Sequence, residues 1–133
     1  MSTYPLQEIE IVQWTSSGTA PYRDLRLGID PGISGALALI EGARLLATWD
    51  MPIVLKASGK GRQVSAAGLV SVLTMARAVR FGIGVHAFLE LVGAFPGQGV
   101  TSMFSLGKSV GIVEGVLAAL NWPVTMVAPI VWK

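Results

Sequence analysis

The sequence predicts an α/β domain whose mixed five-stranded sheet is flanked by helices. Three short apolar runs separated by turn residues lie within residues 25–50, which indicates a three-stranded antiparallel meander. Beyond residue 65 the apolar pattern alternates between helical and extended spacing, which adds two more strands through helical crossovers. A length of 133 residues, 52% of them hydrophobic, fits one such domain.

The meander is formed by the segments "LRLGID", "GALALI" and "RLLATWD", which are separated by the turn residues "PGIS" and "EGA". The next segment, "KASGKGRQ" at 56–63, is predicted to be a Gly-rich basic loop. Residues 1–24 contain several Pro, Ser and Gly residues around the short run "EIEIVQW". We expect them to be a loosely structured leader with one short strand, and 25–133 to be the domain.

The second half of the chain alternates between helices and strands. Ser65 is placed to cap a helix that ends at Gly82, and its apolar residues recur at helical spacing. A buried strand at 85–92 follows, and the loop "GAFPGQG" leads into a long helix at 101–120. The segment "VTMVAP" at 124–129 is predicted to be the fifth strand.

The composition excludes several classes of protein. The chain contains no cysteine, so disulfides and thiolate metal sites are excluded and a cytoplasmic location is expected. Charged residues interrupt each apolar run, which predicts no membrane span. A mean hydropathy of +0.60 is high for an isolated domain, so we expect a second subunit or a further segment of chain to cover part of the surface.

Two carboxylates lie within apolar strands, where an uncompensated charge is costly. Asp30 ends the first strand and Glu90 lies near the end of the fourth. If these strands are parallel neighbours, their ends lie about 5 Å apart and one Mg²⁺ can bind both residues. Two alternatives stay open: Asp30 opens a tight turn by bonding nearby amides, and Glu90 forms an ion pair with Arg77 or Arg80.

Three segments in this order, "LGIDPGISGALAL", "FLELVGAFPGQGVTSMFSLG" and "APIVWK", resemble the RuvC-type Holliday junction resolvases, especially their phage-type branch. The resemblance extends over residues 26–133. It implies a ribonuclease H-like fold and the activity of a crossover junction endodeoxyribonuclease, a DNA recombination and repair enzyme of bacterial or phage origin. Its partner would be branched DNA, and we expect a homodimer that does not associate with membranes.

The resemblance also implies a catalytic site. Such nucleases hydrolyse phosphodiesters with two Mg²⁺ ions, for which Mn²⁺ can substitute, held by four acidic residues. Asp30 matches the first of these and Glu90 the second. The other two belong to a C-terminal helix beyond the Trp-Lys motif that ends this sequence. We therefore expect the C-terminal helix to be absent and the chain alone to bind metal weakly and cut poorly.

Six side chains are candidates for DNA contact: Lys56, Lys60, Arg62, Phe95, Lys108 and Lys133. The first three lie in the glycine-containing loop, which can follow a phosphate backbone. Lys133 matches the lysine of the family's Trp-Lys motif. Phe95 lies where such resolvases place an aromatic residue that inserts at the junction centre. The alternatives are a solvated loop for the cations and a core anchor for Phe95.

Two further features have structural interpretations. Gly107, Gly111 and Gly115 form one row along the long helix, which favours close packing on the sheet first and a dimer seam second. His86, the single histidine, is predicted to be a hydrogen-bonded structural residue, since about 13 Å of strand separates it from Glu90.

Two other functions remain open. A non-catalytic DNA-binding or assembly subunit with the same fold would explain why two of the expected acids are not found. An actin-like nucleotide-binding module also opens with a strand, an Asp and a Gly turn, but it needs a second Asp-Gly loop and a longer chain.

Overall fold

The structure is a computed structural model that describes residues 25–93 and 96–128. The predicted leader at 1–24, Phe95 and Lys133 lie outside these residues. Along the described chain the elements are β1 (Leu25–Ile29), β2 (Ala36–Glu41), β3 (Arg44–Asp50), β4 (Ile53–Leu55), β5 (Arg62–Val64), α1 (Ala66–Ala78), β6 (Val85–Glu90), α2 (Val100–Ala119) and β7 (Val124–Val127).

The central sheet has five strands in the order β3-β2-β1-β6-β7. The first three strands in the sequence pair antiparallel, whereas β1 with β6 and β6 with β7 pair parallel. The predicted mixed five-stranded sheet is therefore confirmed. The two parallel pairings bring the carboxyl ends of β1, β6 and β7 to one end of the sheet, which we call the carboxyl end.

Alternating burial along the strands decides which face of the sheet holds the core. Leu25, Leu27 and Ile29 of β1 are buried, while the residues between them are half-buried. The same alternation occurs in β6. Both helices contribute to the same core cluster through the fully buried residues Leu69, Leu73, Val113 and Leu117. Both helices therefore pack against this one face.

The structure corrects the prediction of a loop at 56–63. The short strands β4 and β5 pair antiparallel and form a hairpin, with Arg62 and Gln63 in its second strand. The turn between them is closed by a hydrogen bond from the Gly59 amide to the Lys56 carbonyl at 2.8 Å, and Gly59 adopts a φ of 73°. A left-handed φ favours glycine, which explains the Gly-rich sequence.

Several element ends also differ from the prediction. The cap of α1 is confirmed, because the Ser65 hydroxyl accepts a hydrogen bond from the Gly68 amide at 3.0 Å. However, α1 ends at Ala78 and not at Gly82, which adopts a φ of 76° in the following turn. Strand β6 ends at Glu90.

The glycine row on α2 does not pack on the sheet, which corrects our first interpretation. Gly107, Gly111 and Gly115 are exposed, and a Cβ added at any of them would meet no atom within 4 Å. The side of α2 that contacts the core instead carries Ser109, Val113 and Leu117. The row therefore faces away from the sheet.

Helix α2 is also long and apolar enough to span a membrane, judged by length and composition alone, with 17% of its most apolar window buried. This corrects the expectation that charged residues interrupt every such run. A single helix of this kind is weak evidence for a membrane segment, because the core helices of other proteins meet the same criteria.

Candidate metal and nucleic-acid site

The strand register brings Asp30 and Glu90 together. In the parallel pairing of β1 with β6, Ile29 lies opposite Leu89, so the next residue on each strand lies at the same level. Adjacent strands are about 4.8 Å apart. The predicted neighbourhood of the two strands is confirmed, with Asp30 exposed and Glu90 half-buried at the carboxyl end of the sheet.

The turn after β1 holds Asp30 in place. Its Oδ1 accepts a hydrogen bond from the Gly32 amide at 3.2 Å, and its own amide donates to the Ala36 carbonyl at 3.0 Å. The predicted turn role of Asp30 is therefore confirmed. This bond involves only one of the two carboxylate oxygens, and a carboxylate has about four acceptor positions, so the turn does not preclude metal binding.

Gly35 is essential to this turn. A Cβ at this position would lie 2.2 Å from the Asp30 carbonyl oxygen and 2.9 Å from that of Gly32. Both obstacles are backbone atoms, which a side-chain rotation does not remove. The glycine therefore allows the chain to close tightly behind Asp30.

The alternative role of Glu90, an ion pair with Arg77 or Arg80, is wrong. Arg80 donates from Nε to Glu41 at 3.0 Å. Arg77 donates to the Leu120 carbonyl oxygen at 3.0 Å and to that of Asn121 at 3.3 Å. Glu41 lies opposite Leu25 at the start of β1, so the Arg80 ion pair is at the other end of the sheet from Glu90.

The donor set of the site is limited. Among residues 25–93 and 96–128, no group of three or more His, Cys, Asp or Glu side chains is placed to hold a metal. Asp30 and Glu90 alone suit a single Mg²⁺, which binds one or two carboxylates and keeps several waters. The pair does not provide enough ligands for the second ion that the resemblance implies.

A basic groove of about 280 Å³ lies between the β4–β5 hairpin and the N-terminal half of α2. It is lined by Lys56, Ala57, Ser58, Arg62, Gln63, Phe104, Ser105, Lys108 and Ser109. The groove thus brings together three of the predicted DNA-contact residues. The third hairpin cation, Lys60, is exposed near the hairpin turn and does not line the groove.

Two hydrogen bonds join the walls of this groove. Lys56 donates from Nζ to the Ser105 hydroxyl at 3.3 Å, and Lys108 donates from Nζ to Gln63 Oε1 at 2.8 Å. Both acceptors are neutral, so the two positive charges are not compensated by these contacts.

Phe104, whose side chain is 72% exposed, also lines the groove and was not among the predicted contact residues. Its spacing of four from Lys108 could have indicated it, because residues four apart share one side of a helix.

His86 has the predicted structural role. Its Nε2 lies 2.7 Å from the Thr125 hydroxyl on β7, and its ring lies 5.0 Å from that of Phe88. The hydrogen bond confirms that prediction.

A second groove, of about 250 Å³, lies on the other side of α2, beside the glycine row. Most of its lining is apolar: Val92, Gly93, Gln98, Met103, Leu106, Gly107, Val110, Gly111 and Glu114. No cation lines it, in contrast to the basic groove.

Comparison with known proteins identifies the fold. No protein-family profile and no curated protein sequence matches the chain. Among solved structures, it is similar to T. thermophilus RuvC in complex with a Holliday junction substrate, with a TM-score of 0.52 and 20% identity, covering 80% of this chain and 66% of that one. A weaker likeness to the Aquifex aeolicus PPX-GPPA enzyme, with a TM-score of 0.39 and 13% identity, covers 80% of this chain and 36% of that one. The chain therefore has the ribonuclease H-like α/β fold of RuvC.

Proposed function

We propose that the protein is a Mg²⁺-dependent, structure-selective endonuclease that resolves four-way DNA junctions by phosphodiester hydrolysis. The observation that carries this proposal is the placement of Asp30, directly after β1, level with Glu90 at the end of the adjacent parallel strand β6, in a fold shared with RuvC. The similar RuvC structure is a complex with a Holliday junction substrate, which supports branched DNA as the substrate class.

In this proposal Asp30 and Glu90 hold the metal, and Mn²⁺ can replace Mg²⁺. A bound metal ion of this kind acts as a Lewis acid on phosphoryl oxygens and lowers the pKa of bound water. The protein contributes the position of the carboxylates. The turn fixes Asp30 through the Gly32 amide, and β6 carries Glu90 beside it. Further ligands come from outside the described residues.

The cations provide the DNA affinity that does not depend on sequence. Lys56, Arg62 and Lys108 in the basic groove, together with Lys60 and Lys133, would bind backbone phosphates. Phe95 would insert at the junction centre, as the resemblance implies. This combination favours branched DNA, because unpaired bases at a branch point are available to an aromatic side chain.

We also propose a homodimer in a cytoplasmic location. Helix α2 leaves Val100 exposed at 81%, and its glycine row lies open beyond the basic groove. A second subunit packed on the glycine row would cover an apolar surface that is unfavourable in water.

The test is cleavage of a labelled four-way junction by the full chain in Mg²⁺, and in Mn²⁺ as a more permissive metal. We expect weak cleavage, and we expect Asp30→Asn and Glu90→Gln each to lower it at least about 100-fold. Even mutation of a residue that only hydrogen-bonds to a metal ligand typically lowers metal affinity or activity 10- to 100-fold. Glu41→Gln, a carboxylate removed at the opposite end of the sheet, is the matched control. Cleavage by Asp30→Asn at the wild-type rate would overturn the proposal.

Metal binding provides a readout that does not depend on cleavage. A ligand that binds only the folded state raises the melting temperature by mass action. We expect Mg²⁺ to raise the melting temperature of wild type and of Glu41→Gln, but not that of Asp30→Asn.

A second candidate is a non-catalytic DNA-binding or assembly subunit with the same fold. It is favoured by the absence, among the described residues, of a group of three or more metal ligands. This candidate predicts that junction DNA binds equally with and without Mg²⁺, that no cleavage occurs, and that Asp30→Asn has no effect on binding.

A further inference from the structure

We infer that the basic groove between the β4–β5 hairpin and α2 binds a single-stranded segment of nucleic acid, with phosphates on its cations and an unpaired base stacked on Phe104. This inference rests on the proposed function, because it specifies the part of a branched substrate that the protein binds. It concerns binding alone and requires no metal.

The charge of the groove supports a phosphate ligand. Lys56 and Lys108 donate only to the neutral Ser105 and Gln63. Across the part of the chain that the structure describes, Arg62 has neither a side-chain hydrogen bond nor an ion pair, and none of the three cations is paired with a carboxylate. Three like charges on two elements thus lie around one concavity, an arrangement that an anion stabilises.

The aromatic side chain supports a base. Phe104 is 72% exposed and lines the same groove as the three cations. An exposed phenyl ring beside uncompensated cations is typical of single-strand binding surfaces, in which bases stack on aromatic rings while cations hold the backbone. The neighbouring hydroxyl of Ser105 provides a further donor for a phosphate oxygen.

A single strand fits this groove better than a duplex does. In a duplex the faces of the bases are stacked on one another, so Phe104 has no base face to contact. An unpaired base exposes its face without the free-energy cost of unstacking a base pair. The volume of about 280 Å³ is close to the lower limit of small-molecule sites, which suits one or two nucleotides and not a duplex about 20 Å across.

The groove lies at the same end of the sheet as the carboxylates. The hairpin begins three residues after Asp50, which pairs with Ala36 next to the Asp30 turn. The Met51 amide donates to the Gly35 carbonyl at 2.9 Å, which joins the base of the hairpin to that turn. On the other wall, α2 starts ten residues after Glu90. A single nucleic-acid strand bound in the groove therefore leads toward the proposed metal site.

The test measures the binding of a fluorescein-labelled 15-nucleotide oligo(dT) to the full chain in EDTA, by anisotropy at several salt concentrations. We expect Phe104→Ala to weaken binding about tenfold and Phe104→Trp to retain it. Phe81→Ala is the matched control, because Phe81 is 99% exposed but lies at the opposite end of the sheet.

The salt dependence of binding distinguishes the phosphate contacts of the cations from the base contact of Phe104. We expect Arg62→Gln to lower the slope of log K against log salt by about 0.7, the value for one phosphate contact to a single strand. Phe104→Ala should leave this slope unchanged. Arg44→Gln, another exposed arginine at the opposite end of the sheet, is the charge control and should change neither the affinity nor the slope.

An abasic oligomer of the same length completes the test, since it has the phosphates without the bases. We expect it to bind wild type and Phe104→Ala equally. Equal oligo(dT) affinity of Phe104→Ala and wild type overturns the inference, as does an Arg62→Gln slope equal to that of wild type. Either failure leaves the cleavage test of Asp30 and Glu90 unaffected, and a failure of cleavage leaves this binding test unaffected.

Discussion

Two groups of cations, one at each end of the central sheet, differ in their partners. At the end where β1 and β6 begin, Arg80 is paired with Glu41, and Arg77 donates to carbonyls at the end of α2 while lying 4.6 Å from the Trp122 ring. At the carboxyl end, Lys56 and Lys108 donate only to neutral side chains, and Arg62 forms no hydrogen bond or ion pair with a described side chain.

This difference shows which charges stabilise the fold and which are available to a ligand. An arginine that caps helix carbonyls or pairs with a carboxylate lowers the free energy of the folded state, and its replacement reduces stability. A cation with only neutral partners contributes little to stability.

Gly35→Ala should have the largest effect on stability. The new Cβ would meet the Asp30 carbonyl oxygen at 2.2 Å, so the turn must move and overpacking of this kind costs about 3 kcal/mol. Chemical denaturation measures the loss, and Mg²⁺ should no longer raise the melting temperature because Asp30 is displaced. Gly28→Ala is the control, since a Cβ there meets no atom within 4 Å. Equal stability of the two variants would contradict the role of Gly35.

Arg77→Ala should lower the free energy of unfolding by about 1–2 kcal/mol. The variant loses two hydrogen bonds to carbonyls at the end of α2 and the contact with the Trp122 ring. Thermal unfolding should shift by about 4 °C per kcal/mol. Arg77→Lys, which keeps the charge but not the planar group, should recover only part of the loss; full recovery would show that charge alone accounts for it.

The pair Arg80–Glu41 should contribute less, about 0.5 kcal/mol in a double-mutant cycle, because both side chains are partly exposed, at 31% and 20%. The coupling energy should fall in 1 M salt, where the Debye length is about 3 Å. A coupling energy that does not depend on salt would show that the contact is not chiefly electrostatic.

Arg62→Gln should have the smallest effect on stability, with a melting temperature within about 2 °C of wild type. Arg62 is exposed and forms neither a side-chain hydrogen bond nor an ion pair with the described residues. A shift as large as that of Arg77→Ala would mean that the cations at the carboxyl end also stabilise the fold, and the contrast between the two ends would not hold.

Much of the fold follows from the sequence because apolar alternation and turn residues report local conformation directly. The strands around Asp30 and Glu90 show a regular pattern of burial, and their parallel pairing follows from the helical crossover between them. The proximity of the two carboxylates could therefore be predicted.

The remaining features depend on tertiary contacts that spacing does not encode. Strand β4 is three residues long and all three are exposed, so it lacks the alternation that marks a strand, and the sequence pattern predicts no hairpin there. The interval of four between Gly107 and Gly111 places them in one row but does not specify which side of α2 faces the sheet. Phe104 joins the basic groove only because the hairpin folds against α2.

The hydrogen bond between Met51 and Gly35 has a geometric consequence. It joins the base of the hairpin to the turn that positions Asp30, so hydrogen-bonded strands set the span between Arg62 and that carboxylate. If the protein cuts DNA as proposed, a substrate held at both places would be cut at a constant number of nucleotides from the phosphate that Arg62 binds. The number of nucleotides between the bound phosphate and the cut would then measure the distance from Arg62 to the carboxylates.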